Sequence, residues 1–197
     1  MAIDFLTIWT NDTVNWTLPI IFHASNILQK NSINSISFKI KTQEEILAMR
    51  LGFFDLFISI ASFWDDKGRS EGFSDVDPLT GLVYTYGSNK SSFYYFKTYV
   101  NFNSAVIKGH SNQVYAAGYL VAHEILHQLN DKAAFLATGK IIERGHEHSK
   151  GLNTIGGAVT IPNKSLNGTG FGALHEIERI PMIQLIRIKK YFLNKKP

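Results

Sequence analysis

The segment from about Asn112 to Leu129 constrains this chain more than any other, because it carries two patterns at once. Val114, Ala117, Val121, Ile125 and Leu129 recur at helical spacing, so one stripe of a helix must press into a core. Within that helix stands His123-Glu124-Ile125-Leu126-His127. Residues four apart share a helix face with Cβ atoms roughly 6 Å apart, which brings two imidazoles to one side. Two such imidazoles suit a tetrahedral zinc ion. Glu124 projects about 100° round the helix from His123, beside the metal rather than bound to it. From there it can take a proton from a zinc-activated water. With seven His and eight Glu in 197 residues, chance produces this pattern with a probability of roughly 1%. The competing reading is a helix with two hydrogen-bonded histidines and a solvated glutamate.

A catalytic zinc site takes three protein ligands and leaves the fourth position to water. The shortest arrangement would place a histidine six residues beyond His127, but that residue is Ala133. Later in the chain Glu143, His146, Glu147, His148, His175 and Glu176 remain open as third ligands.

Around the helix the pattern is that of alternating elements. Residues 4–10 read as a strand, and Thr17 and Pro19 open a helix with Ile20, Ile21, Ala24, Ile27 and Leu28 on one face. Ile36, Phe38 and Ile40 alternate with polar residues as in a half-buried strand. Thr42 and Glu45 form a capping box for a short helix ending near Gly52. The apolar run 55–63 reads as a central strand buried on both faces. Leu82 to Tyr86 is a further strand, and 93–103 another, with Tyr94, Phe96, Thr98, Val100 and Phe102 on a shared face. Seven glycines between 145 and 172 mark loops, and an amphipathic helix over roughly 173–193 closes the chain, with Met182 in its core. This order predicts an α+β domain: one unit over 1–197, with a sheet subdomain to about 130 and a C-terminal subdomain from about 131.

Composition narrows the function. Without cysteine there is no disulfide, thiolate metal site or cysteine nucleophile. The net charge of +4 comes from Arg187, Lys189, Lys190, Lys195 and Lys196; without those five the chain stands at −1. A nucleic-acid-binding surface would draw cations from the body of the fold, so no nucleic-acid partner is expected and the tail reads as the solvated end of the last helix. No apolar run approaches the roughly 20 residues of a membrane span. No leader with a basic start and apolar middle is visible at the N-terminus, and the compartment is left open. Asp65, Asp66, Glu71, Asp75 and Asp77 lie in one polar stretch that is either a structural Ca²⁺ loop or a solvated loop; their spacing is not that of an EF-hand.

Taken together, these stretches resemble a zincin metallopeptidase of the metzincin clan, and their order is similar to the matrix metalloproteinase catalytic domain. Asp55 to Phe63 resembles the third strand, and the acidic loop with Gly81 to Tyr86 the ion-binding loop and substrate-binding edge strand. Tyr99 to Phe102 resembles the fifth strand, and Gly145-His146-Glu147-His148-Ser149 the Gly-x-x-His-Ser element. Asn130 stands where the family has a turn glycine, and no methionine lies near Gly156, where the family's turn methionine would fall. The resemblance implies a zincin-like fold, with a twisted mixed sheet packed on an active-site helix and a C-terminal helix. It implies zinc held by His123, His127 and His148, with Glu124 as general base. It also implies an extended peptide or protein substrate along Leu82, Val83 and Tyr84. The expected activity is endopeptidase hydrolysis; the alternatives are an inactive zincin-like binding protein and a zinc hydrolase of a non-peptide substrate.

Overall fold

Leu56, Phe57, Ile58, Ser59 and Ile60 are all fully buried, as an apolar run covered on both faces requires. The computed structural model describes residues 6–11, 15–34, 36–42, 45, 48, 52–61, 72–73, 85–87, 94–96, 99–102, 105–140 and 178–195. Those five residues belong to β3 (Leu56–Ala61), the middle one of the five strands that the described residues contribute to the main sheet. β1 (Leu6–Asn11) lies beside it, and β2 (Ile36–Lys41) forms one edge. On the other side come β7 (Tyr99–Asn101) and then β4 (Gly72–Phe73). The order is β2-β1-β3-β7-β4, with every pair parallel except β4 against β7. The protein is thus a mixed α/β structure.

The β1–β2 crossover is α1 (Thr17–Lys30), whose buried residues are Thr17, Ile20, Ile21, Ala24, Ile27 and Leu28, the stripe read from the sequence. The capping box after β2 forms in both directions: Thr42 N donates to Glu45 Oε2 at 2.9 Å, and Glu45 N to Thr42 Oγ1 at 3.2 Å. The Thr42 amide is the main reason the Glu45 carboxyl sits below its ordinary value.

Three expectations need correction. The stretch 93–103 is not one strand. β6 (Tyr94–Phe96) pairs with β5 (Thr85–Gly87) in a separate hairpin, while β7 joins the main sheet. Alternation along a sequence reports facing but not partner, and here the partner changes within six residues. Second, the helix expected to end near Leu129 continues: α2 (Ala105–Gly109) precedes α3, which runs from Gln113 to Thr138. Asn130 is no left-handed turn residue. It is buried within α3 and donates to Gln184 Oε1 at 3.3 Å, so the boundary drawn at 130 falls inside one continuous helix. The helix stops instead at Gly139, whose φ of 73° suits the residue without a Cβ.

Third, the last helix, α4 (Met182–Tyr191), begins later than its periodicity implied. Pro181 stands at its N-cap, and a proline disfavours helical backbone at the residue before it, here Ile180. Met182 is 57% exposed and not core.

α3 is the hub. It packs on β3, β7 and β4 and is flanked by α1 and α4. Its crossing with α1 is tight at Gly118, where a Cβ would stand 2.6 Å from His23 Cβ and 2.7 Å from Ile20 O.

Candidate metal centre

Asn112 starts α3 by accepting from Tyr115 N through Oδ1 at 3.0 Å, the bond that satisfies an orphan amide of the first turn. From eleven residues further on, the helix places its histidines where water has little access. His123 is 1% exposed and Glu124 4% exposed, while His127 is half-buried. The two rings lie edge to face, with centroids 4.1 Å apart and planes at 84°. Their Nε2 atoms converge to 2.6 Å. Glu124 Oε1 stands 4.0 Å from His123 Nε2, and one ligand atom from each of the three residues lies within 4.8 Å of the others.

Two neighbouring stripes of α3 divide the work. Tyr115, Tyr119, His123 and His127 are spaced four apart along one stripe, with the Tyr115 and Tyr119 rings 6.2 Å apart. Tyr115 Oη donates to Glu178 Oε1 at 2.9 Å, which ties this stripe to the segment before α4. The other stripe is Glu124, Gln128 and Lys132, all buried. Gln128 Oε1 accepts from Phe57 N at 3.2 Å, and its Nε2 donates to Phe57 O at 2.7 Å. Lys132 Nζ donates to Phe53 O, and to Asp55 O at 2.7 Å. Burial pushes the Lys132 ammonium down to about 7, against the pull of the Asp55 carboxylate. Sequence reasoning missed Gln128 and Lys132, although their spacing from Glu124 was visible; a polar residue four beyond a metal-motif glutamate reads equally well as solvated.

The donor set fits zinc. Imidazole nitrogens at roughly 2.0–2.1 Å from a tetrahedral ion stand roughly 3.3 Å apart, so the pair must open by a fraction of an ångström through side-chain rotation. As they stand, the two Nε2 atoms share a hydrogen bond with each other, and a zinc ion would replace that bond, with the Glu124 carboxylate 4.0 Å from His123 Nε2.

The structure therefore brings His123, Glu124 and His127 together. His148 and its alternatives Glu143, His146, Glu147, His175 and Glu176 lie outside the described residues, as do Leu82, Val83, Tyr84 and the five acids of the proposed Ca²⁺ loop. Among the described residues, the edge of the main sheet on the β7 side is β4, and β4 also packs against α3. Among the described residues, no helix is long and apolar enough to cross a membrane. Comparison with protein-family models, curated proteins and solved structures finds no match to this chain.

Proposed function

We propose that the protein is a zinc-dependent endopeptidase with a zincin-like fold. The observation that carries this reading is the convergence of His123 Nε2 and His127 Nε2 to 2.6 Å, with the buried Glu124 carboxylate 4.0 Å from the first of them. The buried carboxylate beside the pair supports the reading, because a general base for a metal-activated water must stand next to the ion without being one of the two imidazole ligands. Two elements of the fold agree with the resemblance: β3 and β7 are adjacent and parallel, and β7 leads through α2 into the helix bearing the motif.

His123 and His127 would hold the zinc, and His148 is proposed as the third ligand on the strength of Gly145-His146-Glu147-His148-Ser149. Zinc bound there supplies Lewis-acid polarisation of a carbonyl and acidifies water. Glu124 takes the proton of the attacking water and returns it to the leaving amine. No side-chain nucleophile takes part. The substrate is a peptide lying extended against a strand edge. Leu82, Val83 and Tyr84 are the proposed strand, and β4 is a second place for it because it borders the sheet beside α3.

Zinc stoichiometry and cleavage of casein or a mixed-peptide substrate test the proposal. Wild-type protein should bind one zinc and cleave, and Glu124→Gln should keep zinc and fold while losing at least about 10²-fold in turnover. Zinc without cleavage in the wild type would favour a non-peptide hydrolase or an inactive binding protein. Near-full turnover by the variant would remove Glu124 from the mechanism.

A further inference from the structure

The outward face of α4 is apolar where a solvated helix end should be polar. Gln184, Ile188 and Phe192 turn inward and are buried, while Met182, Ile183 and Ile186 are 57%, 67% and 54% exposed. At about 100° per residue, these three fall on one side of the helix. Arg187 borders that side on one flank and Lys189 on the other, and the exposed Lys190 continues it toward the C-terminus. Arg179 lies exposed just before the helix, and Lys195 and Lys196 follow it in sequence. Between Arg179 and Pro197 there is no Asp or Glu. Beside Met182 opens a cavity of about 530 Å³ whose wall includes Lys30, Ser32, Glu178, Arg179 and Leu185.

We infer that α4 is a docking surface for an anionic lipid bilayer. The arrangement is that of a helix lying in a membrane interface: aliphatic side chains enter the acyl boundary, and long cationic ones flank them and reach to the headgroups. Charge complementarity chooses this occupant. Each Lys or Arg near an anionic leaflet adds attraction, and the six cations of 179–197 outnumber the one neighbouring acid, Glu178, which pairs with Lys30. The cavity beside the patch is lined by Glu178 as well as by Arg179 and Lys30, and the Glu178–Lys30 pair stands at 2.5 Å, so the attraction for the leaflet rests on Arg179 and the cations of the helix rather than on this cavity. This inference concerns a surface remote in sequence from His123 and His127, and it stands or falls without the peptidase reading.

Flotation of the full chain with lipid vesicles tests it. The protein should float with phosphatidylcholine vesicles containing about a third phosphatidylserine, not with pure phosphatidylcholine, and about 1 M salt should release it. Ile183→Ser with Ile186→Ser, and separately Lys189→Glu with Lys190→Glu, should each lower partitioning at least about tenfold. Because the two isoleucines are exposed, the first pair should leave circular dichroism and zinc content unchanged. No binding to anionic vesicles by the wild type overturns the inference, even if an acidic protein partner binds instead. Unchanged partitioning of the isoleucine variant overturns it as well, since the basic tail alone would then explain attraction.

Discussion

Gln128 grips the backbone of Phe57 from both sides, accepting from its N–H at 3.2 Å and donating to its carbonyl at 2.7 Å. Among the described residues the register of β7 against β3 begins at Ser59, and at Phe57 the Gln128 amide meets both backbone groups. Gln128 directly follows His127 and lies one turn after Glu124, so this grip sets the rotation of the helix turn that bears the metal motif. Gln128→Leu keeps the volume and removes both bonds, leaving two buried backbone groups to be desolvated. We expect a loss of about 2–4 kcal/mol in urea unfolding and a weaker zinc site. Zinc titration of the folded variant checks the second part: unchanged affinity would mean that the helix turn is held by packing alone.

The α1–α3 crossing makes a sharper prediction. At Gly118 an added Cβ would meet the His23 Cβ and the Ile20 carbonyl oxygen, two rigid neighbours. Gly118→Ala should therefore destabilise by about 1–3 kcal/mol through overpacking, although alanine favours helix at an open position. A midpoint equal to or above wild type in thermal unfolding would show that the helices part without cost.

Lys132 predicts a pH dependence. The unfolded chain keeps this proton up to the ordinary 10.5, whereas the folded chain releases it at about 7. Between those values the unfolded state binds more protons, so stability rises with pH across that window. The contribution is complete above 10.5 and is lost as pH falls through about 7. Lys132→Met should remove this rise, and urea midpoints at about pH 6 and about pH 9 for both proteins measure it. Equal slopes would show that another group titrates there.

Zinc retention decides the third ligand. His148→Ala should lose metal on dialysis against a weak chelator and abolish cleavage, and His146→Ala should have a much milder effect, because catalytic zinc normally needs three protein ligands. If His146→Ala loses metal and His148→Ala keeps it, the ligand is two residues earlier. Normal zinc in both variants would pass the role to Glu143, Glu147, His175 or Glu176.

Several elements were legible in the chain because their determinants are local. The α1 stripe, the Thr42–Glu45 capping box and the buried run of β3 each follow from residues within a turn or two of one another. The pairing of His123 with His127 has the same origin, since the helix alone brings positions four apart together. Other features depend on partners far away. Tertiary contacts with Asp55 and Phe53 made Lys132 a buried donor, and a bond to Gln184 accompanies Asn130 inside the helix where a turn was expected.

By itself, the sequence determined where helices and strands can form and which three side chains the motif presents, because both rest on backbone periodicity. Only the tertiary structure decided which strand lies beside which, that 93–103 serves two sheets, and that Met182, Ile183 and Ile186 face outward while Ile188 faces in. An apolar residue carries no label for its partner; which face of α4 was buried was set by the position of α3 against it.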